Sequence, residues 1–531
     1  MDWLIALSIF VGSSLFGAKR LLRYLHYYQL EEYQPRRFMT WMWKDRAWDR
    51  RGSFVAFMAL DIALLYPLLG SICGVLTLAF LAWWEDDPRT TGKLVLKLTE
   101  RAKRIYLVAF ILYSIVNALL VLTLFEAVTA LWLAQIGLFQ LIPFFLPLAS
   151  LSLQYDEQRR QNQFYAAAKT ILAEVSPYTI GITGSYGKTS TKDALGRILQ
   201  VALAPTFWPG KSINTVMGIT REIRAHLRPG HRYALIEMGA YTKGSIQKLC
   251  AFTPPHAAII TGVGMAHLDR FGSRESVYQA KSELAQALPP EGILVCNGDN
   301  EGSRRIAQEY PKRQTLLYGF DVDKGPLDCW ISSIQLTPGG TYFTVAWQGK
   351  EYAGFTSLLG RTALSNAIGA FTMACALGAN PKYALGVIHN LEPVDNRLEL
   401  RKEGGITYLK DAYNSNPVGF ACALEVMASI PSQRRILMTP GMIELGPEQA
   451  EQHINIGRKA AQVCDLALIV GETNKKSLAL GLHEGGLPTD KVIFSQSREE
   501  AFKVLKSVLR EGDLVLIEND LTDIYENRAR F

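Results

Sequence analysis

The 531-residue chain has no CxxC pair, no internal repeat and no low-complexity segment. Its 7 cysteines (Cys73, Cys250, Cys296, Cys329, Cys375, Cys422 and Cys464) are scattered. That spacing excludes a zinc knuckle and a disulfide framework, and favours buried thiols in a reducing compartment. No stripe of basic residues interleaved with aromatics is present, so the net charge of +7 does not point to nucleic acid as a partner. No cationic segment precedes the first apolar run, which argues against a cleaved signal peptide and for a retained span.

What the chain does have is unevenly spread. A mean hydropathy of +0.07 averages two different halves. Residues 1–150 are dense in Leu, Ile, Phe and Trp, whereas 151–531 read as ordinary α/β protein. Residues 3–18 are apolar and run into Lys19, Arg20 and Arg23. Residues 53–84 form a long apolar run broken by Asp61, Pro67 and Gly70. Residues 105–125 have the length of about 20 that a bilayer needs. Residues 129–150 are a further span, softened by Pro143 and Pro147. Trp83, Trp84, Tyr106 and Trp132 sit near the ends, where amphipathic rings favour the interface. A buried helical core is the alternative, but several long apolar runs rarely share one soluble domain.

Segments 19–52 and 89–104 are both basic, which places both in the cytoplasm. The run 53–84 must then enter and leave on one side, as a hairpin turning at residues 67–70. The last two spans return the chain to the cytoplasm at Gln154, where ATP is available. A multi-pass protein of the cell membrane is expected, with membrane lipid as a partner and its catalytic region in the cytoplasm.

Residues 179–182 read as a short strand, followed by TGSYGKTS at 183–190 and a helix-compatible stretch. Strand, glycine turn and helix N-terminus together aim backbone N–H groups at phosphate oxygens. Thr183, Gly184, Ser185, Gly187, Lys188, Thr189 and Ser190 are the candidate nucleotide-binding residues. Lys188 would neutralise the β/γ-phosphates, and Thr189 or Ser190 would offer a hydroxyl to Mg²⁺. The strict pattern GxxxxGK[ST] is not met, because Ile182 stands where its first glycine belongs.

This loop resembles the ATP loop of the Mur ligases, which join amino acids or dipeptides to peptidoglycan precursors. The likeness continues in order along the chain. IEMGA at 236–240, GVGMAHL at 262–268 with FGS at 271–273, and AKSE at 280–283 resemble family motifs. So do LGR at 359–361 with NA at 366–367, NRLE at 396–399, DAYNSNP at 411–417 and MIELG at 442–446. The motifs favour the family's D-alanyl-D-alanine-adding branch and cover roughly residues 165–531.

The resemblance implies site roles. Thr189, Glu237 and His267 would ligate Mg²⁺. Lys281 would be carbamylated by CO₂, becoming an anion that holds a second Mg²⁺. Asn366 would meet adenine, although the family's "HN" after the arginine reads Thr362-Ala363 here. Arg397 and Asp411 would embrace ATP from the C-terminal domain, and Asn214 would sit near the reacting phosphate. Lys188, Lys281, His267 and Asn214 form the implied catalytic set. Without the family, Glu237 would more often be a surface carboxylate, His267 a core or loop histidine, and Lys281 a solvated helix-face lysine.

The implied fold is α/β. Transmembrane helices (1–150) and a linker (151–165) precede a P-loop Mur ligase central domain (166–390). A Rossmann-like C-terminal domain (391–531) follows. Within the central domain, 327–353 alternates apolar and polar residues like a small antiparallel insert. Strands are expected in the C-terminal domain at 435–438, 466–470, 492–494 and 514–517. Two features depart from the family. The UDP-binding domain that normally comes first appears replaced by the apolar segment. The family's "KGS" near the C-terminus reads Glu518-Asn519-Asp520.

The expected activity is ATP-dependent amide formation through an acyl phosphate at the membrane face. The expected partners are ATP, a cell-wall peptide precursor (UDP- or lipid-linked) and an amino acid or dipeptide. One alternative is a ligase on another substrate, such as a poly-γ-glutamate. Another is a P-loop ATPase that powers transport, which should carry an LSGGQ signature; none is present.

Overall fold

The computed structural model describes residues 2–91, 94–265, 268–393, 396–412 and 415–519. The chain forms two compact units, divided between Gln161 and Asn162.

The first unit is helical: α1 (Asp2–Leu30), α2 (Pro35–Lys44), α3 (Arg51–Leu65), α4 (Pro67–Trp84), α5 (Glu100–Leu124), α6 (Val128–Leu141) and α7 (Phe145–Ser152). Four stretches are long and apolar enough to cross a membrane: Trp3–Leu30, Pro67–Trp84, Glu100–Leu124 and Val128–Ser152. The apolar run 53–84 is two helices broken at Tyr66, because Pro67 lacks the N–H that would continue the ladder. The helices double back on each other. A Cβ on Gly70 would lie 2.6 Å from the Ala59 carbonyl oxygen, and one on Gly74 2.7 Å from the Ala59 Cβ. Small residues thus let two backbones touch. The C-terminal end of α4 meets the second half of α1, where Arg20 bridges Asp49 (3.0 Å) and Glu85 (2.7 Å) and Arg23 also reaches Glu85 (2.8 Å).

α5 runs antiparallel to α1. The Tyr113 hydroxyl donates to the Ser13 carbonyl (2.8 Å), and the Tyr106 hydroxyl to that of Ala18 (3.1 Å). Polar side chains inside the bundle satisfy one another: Gln135 donates to Asn117 (2.8 Å), which donates to Ser13 (2.9 Å). One expectation fails. Trp132 does lie near the start of α6 but is fully buried rather than interfacial, its ring against Gly74 and its indole N–H on Ser71 (3.3 Å). The space left by a missing side chain draws the ring inward. Cys73 is exposed rather than buried, and all 7 cysteines are unpaired.

Residues 151–165, expected as a linker, are largely taken up by helix α8 (Gln154–Val175). The second unit then builds two sheets. The central one has strands β1 (Tyr178–Thr183), β2 (Thr206–Phe207), β3 (Tyr233–Glu237), β4 (Ala257–Ile260), β5 (Ile293–Asn297), β6 (Gln314–Gly319), β7 (Cys329–Thr337), β8 (Gly340–Trp347) and β9 (Lys350–Thr356). Their order is β2-β3-β1-β4-β5-β6-β7-β8-β9. Pairing is parallel from β2 to β7 and antiparallel from β7 to β9, which is the insert expected at 327–353. The parallel strands are nearly continuous apolar runs because helices cover both faces.

The second sheet joins β10 (Glu399–Glu403), β11 (Ile406–Asp411), β12 (Arg434–Thr439), β13 (Leu466–Val470), β14 (Val492–Ser495) and β15 (Asp513–Glu518) in the order β10-β11-β15-β12-β13-β14. Only β10 is antiparallel. All four strands expected there are present, within a residue or so at each end.

Candidate active site

β1 ends at Thr183, and the chain turns over Gly184 to Gly187 into helix α9 (Lys188–Ala202). Gly187 caps the helix with φ +79°, a left-handed value that favours glycine. A Cβ there would stand 2.1 Å from Asn366 Oδ1. At Gly184 a Cβ would stand 1.9 Å from Thr261 Oγ1. The loop is pinned to the segment after β4: Ser185 N–H donates to the Gly262 carbonyl (2.8 Å), and Gly264 N–H to Ser185 Oγ (2.8 Å). Lys188 Nζ folds back onto the Gly184 carbonyl (2.7 Å). Thr183 does not face the nucleotide side, because its buried hydroxyl donates to the Met238 carbonyl (2.8 Å).

Glu237 is the last residue of β3, next to β1, so parallel pairing sets its carboxylate beside the loop. Thr189 Oγ1 donates to Glu237 Oε2 (3.0 Å), Lys192 Nζ lies 3.3 Å from the same oxygen, and Asn214 Nδ2 donates to Oε1 (3.3 Å). Glu237 is 1% exposed, so these partners are what make its charge tolerable. Lys192 had escaped notice in the sequence. It sits one helical turn after Lys188, and that i, i+4 spacing was the available signal. Its other bond is to the Lys211 carbonyl (2.6 Å).

Lys281, on the helix Arg274–Ala287, is also buried. Burial pushes its ammonium well below the ordinary lysine range, and the nearby Lys188 adds to this against the pull of Glu283 and Glu237. Burial likewise lowers Lys188, opposed by Glu237 and reinforced by Arg397. The structure therefore brings Lys188, Thr189, Asn214, Glu237 and Lys281 together. His267 lies outside the described residues.

Beside the loop opens a cleft with a cavity volume of about 100 Å³, lined by Tyr186, Ser190, Asn366, Arg397, Asp411 and Ser415, among others. It joins the central and C-terminal sheets. Asp411 ends β11 opposite Glu518, the end of β15. Burial raises Asp411 to about 7, opposed by Arg397. Burial and the neighbouring Asp411 raise Glu518 well above the carboxylate range. Glu518 is buried and Asp411 half-buried across from it, so ionisation of both is disfavoured and one proton is retained on the pair. Glu518 accepts from Ser415 Oγ (2.5 Å). The residue replacing the family's lysine is thus tied into this pair, while Asp520 lies outside the described residues. Across the cleft, Arg270 bridges Glu444 (3.1 Å) and Arg274 bridges Glu448 (2.6 Å).

A divalent cation fits this chemistry. Among the described residues no cluster of His, Cys, Asp or Glu could hold one unaided. The Thr189 hydroxyl and Glu237 carboxylate are hard oxygen donors, and Mg²⁺ is usually held by one or two carboxylates completed by substrate phosphates.

A glycine-turned loop at a helix N-terminus, an acid at the adjacent strand end and a second doubly wound domain closing the cleft define a nucleotide-dependent α/β enzyme. The comparisons narrow this class. Residues 182–374 match the Mur ligase middle domain, and 396–518 match the "Mur ligase, glutamate ligase domain". The UDP-N-acetylmuramoyl-tripeptide–D-alanyl-D-alanine ligase of Escherichia coli is 30% identical over 324 residues, covering 60% of this chain and 71% of that protein. The Bacillus subtilis protein of that name is 29% identical over 373 residues, covering 65% and 79%. The fold resembles MurF from Acinetobacter baumannii (TM-score 0.61, 24% identity, 68% of this chain and 77% of that one). It also resembles the MurF ligase from Thermotoga maritima in complex with ADP (TM-score 0.60, 24% identity, 70% and 82%). The chain belongs to the Mur ligase family and is an ATP-dependent acid–amino-acid ligase, with apolar helices where the family's UDP-binding domain would stand.

Proposed function

We propose that this ligase adds an amino acid or a dipeptide of the D-Ala-D-Ala type to a peptidoglycan-type precursor at the cytoplasmic face of the cell membrane, through an acyl phosphate. The observation that carries the reading is the meeting of Lys188, Thr189, Glu237 and Lys281 beside a cleft lined by Asn366, Arg397 and Asp411.

In this reading ATP lies along the loop. Backbone N–H groups at the start of α9 and Lys188 hold its β- and γ-phosphates, Asn366 meets the adenine, and Arg397 closes over the phosphates. The substrate carboxylate attacks the γ-phosphorus, forming a carboxyl O–P bond as the bond to ADP breaks. The incoming amine then attacks the acyl carbon, and phosphate leaves as the amide forms. Thr189, Glu237 and a carbamylated Lys281 would hold Mg²⁺, which supplies charge stabilisation to the phosphates. The depressed ammonium of Lys281 suits carbamylation, because only the neutral amine attacks CO₂. Asn214 orients Glu237, and the Arg270 and Arg274 bridges hold the C-terminal domain against the cleft, limiting hydrolysis of the acyl phosphate.

The apolar helical unit supports presentation of the acceptor at the bilayer, lipid-linked rather than gripped by its UDP. Glu518, standing where the family has a lysine, favours the second reading of a different acceptor. The test is mass spectrometry of the product made from ATP, D-Ala-D-Ala and UDP-linked or lipid-linked tripeptide precursor. Amine-dependent phosphate release with a new amide supports the ligase reading. Equal or better turnover of the UDP-linked form in detergent sinks the lipid-linked acceptor, and amine-independent release sinks amide formation.

A further inference from the structure

We infer that the helical unit carries a binding groove for one membrane lipid with an anionic phosphate headgroup. The proposal rests on the membrane reading of that unit. A groove with a cavity volume of about 520 Å³ opens between α1, α4, α5 and the segment after α4. Its wall is apolar, with Leu15, Ala79 and Ala82 beside the rings of Trp83 and Tyr106. Its charged lining is entirely cationic: Lys19 from α1, Arg89 from the segment after α4, and Lys103 from α5. Asp87 pairs with Arg89 (2.5 Å) and Glu100 with Lys103 (2.8 Å), but neither acid lines the groove. Among the described residues Lys19 makes no ion pair, and it is near enough to Asp87 to help hold that carboxyl low, after Arg89.

The placement of these groups has a direction. On α1 and α4, Leu15 and Ala79 lie deeper in their spans, and Lys19 and Ala82 nearer the helix ends that Arg20 and Glu85 join. Lys103 stands at the start of the antiparallel α5, at that same end. The groove is thus apolar at depth and cationic at the rim. The anions at that depth of a bilayer are lipid phosphates, and the exposed Trp83, at the rim, marks the interface. A headgroup phosphate at Lys19, Arg89 and Lys103, with its chain along Leu15 and Ala79, satisfies both halves.

The test uses the full chain in nanodiscs of phosphatidylcholine with and without phosphatidylglycerol, followed by native mass spectrometry of retained lipid. Phosphatidylglycerol should be retained in preference. The triple variant Lys19→Gln/Arg89→Gln/Lys103→Gln should lose about fivefold in retention per cation removed. The Arg36→Gln/Arg50→Gln/Arg51→Gln triple, which removes equal charge elsewhere, should retain lipid normally. Ala79→Trp keeps the cations and fills the groove, so it should also release lipid. Equal retention of the two lipids, equal loss in both triples, or displacement by inorganic phosphate alone overturns the groove. Liposome flotation separates the two levels. A chain that fails to float removes the membrane reading and the groove together, whereas one that floats without lipid preference removes only the groove.

Discussion

Replacing Lys188 with methionine asks whether that side chain holds the loop or holds phosphate. In the folded protein Lys188 is half-buried, its ammonium bonded to the Gly184 carbonyl at 2.7 Å and close enough to Lys281 and Arg397 to be repelled by them. Losing the bond costs about 1.5–3 kcal/mol, the range for a hydrogen bond to a charged group. Relief from the partial desolvation of this half-buried ammonium, and from repulsion by its cationic neighbours, offsets that loss. Glu237 is not orphaned, since Thr189, Lys192 and Asn214 remain on it. Lys188→Met should therefore unfold at the wild-type temperature or above it, without ligand. Its response to ATP should differ sharply. A preorganised cation aimed at developing charge is worth about 3–4 kcal/mol, or some 10²–10³ in turnover. At an ATP concentration 100 times the wild-type Kd, wild type gains about 2.7 kcal/mol. A variant binding about 100-fold more weakly gains only about 0.4 kcal/mol. Differential scanning fluorimetry of the full chain in detergent, with and without Mg-ATP, reads both effects. Midpoints are compared rather than free energies, because two units unfold. An apo midpoint clearly below that of wild type would make Lys188 structural. An undiminished ATP shift would refute phosphate binding at this loop.

Gly187→Ala should weaken binding of a fluorescent ATP analogue, because its Cβ would meet Asn366 Oδ1 at 2.1 Å, and the left-handed backbone adds about 1–2 kcal/mol of strain. Unchanged affinity would show that Asn366 does not touch the base. Lys281→Arg should abolish turnover while leaving ATP-analogue binding nearly intact, since arginine keeps the charge but cannot be carbamylated; retained phosphate release would contradict the modification. Asp411 is raised by burial from 3.8 to about 7, so the folded chain keeps a proton that the unfolded chain has released. Wild-type stability relative to Asp411→Asn should therefore fall as pH rises across about 4 to 7 and level off above. A flat difference in melting midpoint over that range would refute the shared proton. Gly70→Leu should disrupt the α3–α4 hairpin, where the Cβ would press to 2.6 Å on the Ala59 carbonyl; loss of monodisperse protein in detergent is the expected readout, and normal behaviour would refute the close packing.

Much of this fold was legible because the signals were local. The loop, the strands at 466–470 and 514–517 and the insert at 327–353 each followed from short-range pattern, and each stands as expected. The break between α3 and α4 followed from one proline, but it falls at Tyr66 rather than across 67–70, and Gly70 lies inside α4 as a close-packing position. The features that sequence did not reveal depend on neighbours distant in the chain. Trp132 looks like an interfacial ring until Gly74, on another helix, leaves room for it inside the bundle. Lys192 looks like one more helix lysine until β3 pairs with β1 and delivers Glu237 to it. Glu518 stood out in the sequence only as an acid where the resemblance has a lysine, and the parallel register of β11 and β15 sets it opposite Asp411. The same logic explains why the two carboxyls tolerate each other. A lysine at 518 would pair with Asp411 and keep it ionised, whereas a glutamate there makes ionisation of both too costly in a buried site. An acid at 518 therefore leaves a proton on the Asp411–Glu518 pair, in the middle of the sheet beside the cleft, where a lysine would leave two opposite charges.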